Sequence, residues 1–341
     1  MERFDVVIIG GGPAGLACAL TVKGDIALVE RKSYFRGAIP CAEYVPAPIT
    51  TIIPLDEDDI ASRVDGMETE LEGERVFSPW KGYILKRESW QNRLMEQVGN
   101  RGVTMFLGYT AERVEPGVVY LRKGKTRFSV QTKYIVGADG PLSIVGKAMG
   151  AENTRFLYGF QCRMRLVEGL NRTLVFFRRY IMGGYGWIFP RGDLANVGVG
   201  VVDPQNGRAV LDRFAKEMMI QSIVKESKTD YVVGLIPSGG MRLPRKGNML
   251  LVGDALGLTN PVSGAGIVPA LESGELAGKW LNAQFAGESV KDYVEVVKQI
   301  WDKQLCRDLS HRYALDKEWR SAPFKTLIRK HWIAYPEYFY E

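Results

Sequence analysis

Residues 4–9 form a short run of β-forming, mostly apolar side chains, long enough for one strand of a parallel sheet buried on both faces. A helix is expected over 13–23, and Ile26-Ala27-Leu28-Val29 predicts a second strand beside the first. Residues 33–60 are rich in proline and glycine and read as irregular. Short strand-like patches follow over 61–86, among them Tyr83-Ile84-Leu85. Trp90, Leu94, Met95 and Val98 recur at helical spacing and predict a helix over 89–98. Short strands are expected at 103–107, 118–121 and 134–137. From 155 to 245 the pattern alternates as in an antiparallel sheet, with strands at 156–167, 173–179, 187–190, 195–202 and 230–236. One helix, over 207–219, interrupts them; another is expected over 266–284, and 286–341 reads as mainly helical.

Three of the strands run into glycine. The first meets Gly10-Gly11-Gly12-Pro13-Ala14-Gly15, the G-x-G-x-x-G spacing. Gly10 permits a tight turn, Gly12 admits a pyrophosphate close to the backbone, and Gly15 allows close packing of helix on strand. The helix opening at Pro13 aims free N–H groups and a positive dipole end at the phosphates. Glu30 ends the second strand about 20 residues after Gly10, where an acidic side chain accepts hydrogen bonds from a ribose 2′-OH. A 2′-phosphate would be repelled there, which favours FAD or NAD over NADP; Arg31 beside it is assigned to the same site. The second station is Val136-Gly137-Ala138-Asp139-Gly140, and the third is Leu250-Leu251-Val252-Gly253-Asp254, continuing through Pro261, Gly264 and Gly266. In this order they fit a flavin dinucleotide.

The nucleotide-binding domain is then discontinuous, comprising 1–60, 84–150 and 246–284. Residues 61–83 and 151–245 form a substrate-binding β-sheet domain, and 285–341 a helical C-terminal segment. The fold class expected is α/β: a Rossmann-type FAD-binding domain with an inserted antiparallel β-sheet domain and a helical C-terminus. A length of 341 residues suits two domains, and a hydrophobic fraction of 46% is ordinary for a globular protein. No apolar stretch approaches the roughly 18 residues of a membrane-spanning helix, and no signal peptide pattern is visible. The expected location is therefore cytoplasmic, free or against the membrane from that side. Cys18, Cys41, Cys162 and Cys306 show no metal-ligand spacing and read as free thiols in a reducing compartment. With His311 and His331 as the only histidines, no metal site or histidine-based triad is expected, and the chemistry falls to a cofactor. The net charge of +6 is spread along the chain without a basic stripe, which argues against nucleic acid.

The three stations together resemble flavoproteins of the p-hydroxybenzoate hydroxylase superfamily. In that resemblance Asp254 faces the ribityl hydroxyls, and Gly264, Ala265, Gly266 and Ile267 bring a helix N-terminus against the pyrimidine edge of the flavin. Asp139 and Gly140 form the middle motif, and Arg87 matches an arginine that leans on the cofactor, its other reading being a solvated arginine at a helix start. Two departures argue against oxygen-using aromatic hydroxylation. Ser143-Ile144-Val145-Gly146 lacks the arginine of Ser-x-x-Arg, and Gly253-Asp254-Ala255-Leu256-Gly257 lacks the histidine of Gly-Asp-Ala-Ala-His.

Gly253 to Ile267 with Ser273-Gly274, and Tyr185-Gly186-Trp187-Ile188-Phe189-Pro190 followed by Gly198-Val199-Gly200, are similar instead to the geranylgeranyl reductase family. The resemblance covers most of residues 1–285 and implies a flavin-dependent reductase that saturates C=C bonds of a polyprenyl chain. Alternation places Tyr185, Trp187 and Phe189 on one strand face, either walling a tunnel for the prenyl tail, with Gly198 and Gly200 leaving it room, or filling an ordinary sheet core. Pro40-Cys41-Ala42-Glu43 loosely matches a Cys-Gly pair of related reductases near the flavin; Cys41 is a candidate proton donor or a packed thiol, and Tyr185 is the other candidate acid. Lys317, Arg320, Lys325, Arg329 and Lys330, interleaved with Trp319, Phe324, Leu327 and Ile328, read either as a contact with an anionic membrane surface or as a helix docked by its aromatics. The electron donor is NAD(P)H or a ferredoxin-like protein. The competing readings are a flavin monooxygenase acting on a small aromatic or quinone, and a non-catalytic flavin electron carrier.

Overall fold

Val6, Val7 and Ile8 are fully buried, and the strand that holds them, Arg3–Ile9, is the centre of a parallel sheet. The computed structural model describes residues 2–340 and divides into two units. The first comprises Met1–Phe35, Gln91–Arg155 and Pro237–Arg307; the second comprises Arg36–Trp90, Phe156–Ile236 and Asp308–Glu341.

In the first unit the sheet runs Arg245–Lys246, Met249–Leu251, Thr126–Gly137, Arg3–Ile9, Ile26–Glu30, Thr104–Leu107. The pairings from Met249–Leu251 to Thr104–Leu107 are all parallel. The expected short strand at 134–137 is the end of the longer Thr126–Gly137, whose first half pairs with Val118–Lys123, and that strand in turn pairs with Thr110–Glu115. The expected helix over 13–23 is Pro13–Thr21; it stops where Val22 turns to extended backbone. Helix Ile267–Phe285 packs on it so closely that a Cβ on Gly274 would lie 2.0 Å from the Ala14 carbonyl oxygen. Small residues thus let two backbones touch.

The second unit holds a sheet in the order Thr229–Pro237, Phe156–Arg165, Leu194–Val201, Gly186–Arg191, Thr173–Phe177, Met67–Leu71, Glu74–Ser78. It is not wholly antiparallel, since Thr173–Phe177 and Met67–Leu71 run parallel. A smaller sheet joins Tyr44–Pro46, Gly82–Leu85 and Ile60–Val64, within the stretch whose first part the composition suggested was irregular. Period-two alternation divides the large sheet's faces. Cys162, Met164, Leu174, Phe176, Ile188, Val197 and Val199 pack beneath helix Gly207–Ile220. The opposite face carries Gln161, Arg163, Trp187, Phe189, Asn196 and Gly198, brought abreast by the registers Gln161↔Gly198↔Trp187 and Arg163↔Asn196↔Phe189.

Candidate functional site

In the first unit, strand register does the assembling. Ile9 lies opposite Val29 and Gly137, and Gly137 opposite Leu251, so the strands reach the same carboxyl edge together. Gly10 N donates to Val29 O at 2.8 Å, Ala138 N to Ile9 O at 2.8 Å and Val252 N to Gly137 O at 3.0 Å. The three glycine stations therefore leave the sheet side by side, at the edge where open parallel sheets bind ligands. Gly10 has φ +108° and faces the Ala138 carbonyl, while a Cβ on Gly15 would lie 1.8 Å from the Gly10 carbonyl oxygen. Gly12 differs: a Cβ there would meet nothing within 4 Å. It caps helix Pro13–Thr21 without a side-chain bond, which leaves the helix N-terminus to an anion.

The surrounding groups fit a flavin dinucleotide. Glu30 accepts from Gly11 N at 2.7 Å and Lys32 N at 2.9 Å, so it shapes the glycine turn besides ending its strand. Asp139 accepts from Ile144 N at 2.7 Å through Oδ2, while its buried Oδ1 has no protein partner. Burial pushes this carboxyl up, against the Ser143 hydroxyl and backbone N–H groups. Asp254 Oδ1 accepts from the Thr259 hydroxyl at 2.6 Å, and Gly266, on which a Cβ would lie 3.2 Å from that oxygen, opens helix Ile267–Phe285 without a side-chain cap. Pro261, Gly264 and Ala265 lie in the turn between them, closed by Asn260 N donating to Ala265 O at 3.0 Å. Ala14 touches Gly253; Gly140 follows Asp139 with φ +82°; Arg31 is exposed.

Cys41, Ala42, Arg87, Tyr185, Trp187, Phe189, Pro190, Gly198 and Gly200 all belong to the second unit. The 40–43 loop lies on the polar face of the large sheet. Gln161 Nε2 donates to Cys41 O at 3.1 Å, and Asn196 Nδ2 to Ala42 O at 3.2 Å. Gln161 Oε1 also accepts from the Trp187 indole at 3.1 Å, and the Trp187 ring stands 6.0 Å from Tyr185. One chain of contacts thus links both candidate acids. Burial pushes the Cys41 thiol up, while Arg87 and the Glu43 N–H, 3.2 Å from the sulfur, pull it down. Arg87 is buried and lies over Trp90, which removes the solvated reading of that side chain. Burial also raises Tyr185, keeping it a neutral phenol.

Residues given no role from the sequence complete this face. Glu43, 1% exposed, accepts from Arg191 Nε at 3.0 Å and from Asn196 Nδ2 at 2.8 Å. Arg191 also donates to Glu88 at 2.6 Å, and Arg163 stands 3.7 Å from Glu43 and 3.2 Å from Asp230. Polar Gln161 and Arg163 set between apolar Phe160, Cys162 and Met164 were the available signal.

The expectation of open room for a chain is corrected at Gly198, while Gly200 keeps only ordinary contacts. A Cβ on Gly198 would lie 2.1 Å from Trp187 Cζ2, and one on Gly200 3.9 Å from Cζ3. The Trp187 indole, not open space, occupies the volume beside Gly198. Pro190 falls by alternation on the Ile188 side, away from Trp187 and Phe189. Gly198→Ala is expected to lower unfolding free energy by about 1–3 kcal/mol, and Trp187→Leu in the same chain to restore part of it, in chemical denaturation.

Trp319, Phe324, Leu327 and Ile328 are buried, so the C-terminal segment docks by its aromatics. Trp319 Nε1 donates to Arg179 O at 2.9 Å, and Arg179 lies over Phe324. Farther on, Trp332 packs 4.9 Å from Tyr185 and 5.1 Å from Phe177, and donates to Thr69 Oγ1 at 3.0 Å. Among the described residues no helix is long and apolar enough to cross a membrane.

A parallel sheet whose carboxyl edge carries three glycine stations defines an FAD-dependent flavoprotein, and residues 5–44 match the family described as FAD binding domain. A digeranylgeranylglycerophospholipid reductase of Methanocella arvoryzae is 30% identical over 304 residues, covering 81% of this chain and 77% of its own. Digeranylgeranylglycerophospholipid reductase 2 of Methanosphaera stadtmanae is 29% identical over 331 residues, covering 88% and 84%. A geranylgeranyl bacteriochlorophyll reductase-like structure from Thermoplasma acidophilum has the same fold, with TM-score 0.84, 21% identity and coverage of 98% and 92%. The chain belongs to the geranylgeranyl reductase family.

Proposed function

We infer that this protein is an FAD-dependent reductase that saturates C=C bonds of a geranylgeranyl or other polyprenyl group in an isoprenoid lipid. The observation that carries the reading is the sheet face on which Gln161 joins the Cys41 loop to the Tyr185–Trp187–Phe189 row, in a chain of this family. Saturation adds a hydride to one alkene carbon and a proton to the other. FAD, when bound, supplies the hydride; Gly10, Gly12, Gly15, Glu30, Asp139, Asp254 and the Gly266 helix end are the residues that would hold it. The chain must supply the rest. An isolated alkene is a poor hydride acceptor, so a proton has to arrive with the hydride, and water has to be kept out. Cys41 and Tyr185 are the proton-bearing groups. Burial keeps both protonated, and Arg87 beside Cys41 tempers that for the thiol. Trp187 and Phe189 supply apolar surface for the prenyl chain.

NAD(P)H or a ferredoxin-like protein is the electron donor in this reading. A peripheral contact with an anionic membrane would be made by the exposed Lys317, Arg320 and Lys330, not by the buried aromatics. The deciding experiment reduces the flavoprotein with dithionite without oxygen and adds a geranylgeranyl lipid or diphosphate. Mass spectrometry is expected to show two hydrogens gained per saturated bond. Hydroxylated product under oxygen would favour the monooxygenase instead, and no gain with any prenyl substrate would defeat the reductase.

A further inference from the structure

Glu43 is one of the described non-glycine residues with positive φ, at +70°. Glycine adopts this backbone freely, whereas a side chain with a Cβ is strained in it. Glu43 is nevertheless 1% exposed and held on every side. Its carboxylate accepts from Arg191 Nε at 3.0 Å and Asn196 Nδ2 at 2.8 Å. Its carbonyl accepts from Leu85 N at 2.9 Å. Its own N–H points at Cys41 Sγ, 3.2 Å away. The residues before it are pinned as well, Cys41 O by Gln161 and Ala42 O by Asn196, so Asn196 grips both the carboxylate and the loop backbone.

We propose that Glu43 is a positioning residue for Cys41: anchored by Arg191 and Asn196, its side chain locks the left-handed backbone that aims the Glu43 N–H at the Cys41 sulfur. This rests on the reading that Cys41 serves the reaction. The N–H donor favours the thiolate, and the Glu43 charge disfavours it. Arg87 also bears on the thiol, and Arg191, Arg163 and Glu88 surround the carboxylate. The lock and the charge therefore act on Cys41 in opposite directions.

Two variants separate them. Glu43→Gly removes anchor and charge together, leaving a backbone free to adopt other conformations. Glu43→Asp keeps the charge but is one methylene too short to meet Arg191 and Asn196 from the same backbone. Iodoacetamide labelling of the flavin-loaded protein is followed against pH by peptide mass spectrometry, with exposed Cys306 as the reference. Glu43→Asp is expected to move the Cys41 labelling profile upward by at least about half a pH unit, and Glu43→Gly less far because it also loses the opposing charge, leaving Cys306 unchanged. An unmoved Glu43→Asp profile overturns the proposal, because that variant keeps the charge and loses only the anchor. Should Glu43→Gly fail to fold, the Glu43→Asp profile decides. Prenyl reduction by Cys41→Ser is measured separately: wild-type turnover there would remove Cys41 from the reaction, while the labelling still judges the role of Glu43.

Discussion

Gly15→Ala is expected to yield protein that retains little or no flavin and unfolds more easily, whereas Gly12→Ala is expected to fold normally and bind flavin poorly. The contrast follows from what each added methyl group meets. At Gly15 it would sit 1.8 Å from the Gly10 carbonyl oxygen, part of a backbone turn with φ +108°. Only movement of the helix away from the strand relieves that, at a cost of about 1–3 kcal/mol or more. The movement also displaces the helix N-terminus from the phosphates. At Gly12 nothing lies within 4 Å, so stability should stay within about 0.5 kcal/mol of the parent. The methyl group instead enters the space a pyrophosphate needs, and flavin affinity should fall about tenfold or more. Flavin absorbance per protein and urea denaturation read the two effects separately. A Gly12→Ala protein that holds flavin as tightly as the parent would remove the first station from the cofactor site.

Arg191→Ala is expected to cost about 3 kcal/mol of stability near neutral pH, because it removes the nearer of the two cations that Glu43 and Glu88 share and leaves only Arg163, at 3.7 and 4.0 Å, between them. The pH dependence has a definite sign. Burial already raises the Glu43 carboxyl above its ordinary range, with Arg191 the largest influence holding it down. A carboxyl raised in the folded state contributes stability that is fully present below its unfolded pKa and lost as pH rises through the folded value. Removing Arg191 raises Glu43 further. The deficit of the variant should therefore be largest at neutral pH and shrink on acidification toward about pH 4–5. Urea unfolding across that range measures it. A deficit that stayed constant, or grew in acid, would show that Glu43 is not the group left uncompensated.

Local backbone demands were legible in the sequence, and meetings across strands were not. Gly10 and Gly15 announce themselves because only glycine satisfies a tight turn or a backbone contact, and their spacing carries the geometry. Arg87 was singled out by resemblance, with a solvated helix-start arginine as the other reading, and only the fold shows that it is buried. Glu43, Arg191 and Asn196 escaped because their partnership depends on which strands are neighbours and in what register, which no local pattern states. Gln161 and Arg163 left a trace, two polar residues at alternate positions of an apolar strand. Gly198 shows the opposite failure: the sequence marks a missing side chain, but not that Trp187 from the next strand fills its volume. Trp332, which closes the Tyr185 cluster, lay outside the segment that the basic-aromatic pattern drew attention to.

The register that sets Ile9, Gly137 and Leu251 in one row also links cofactor supply to the lifetime of the protein. A ligand gripped by all three stations clamps segments that are far apart in the chain, and it binds only when they are assembled. Such a ligand stabilises the folded state by about 2.7 kcal/mol at a hundredfold excess over its dissociation constant. Under flavin starvation the first unit would lose that margin, spend more time open, and be cleared by proteolysis, so cellular abundance should follow riboflavin status as well as gene expression.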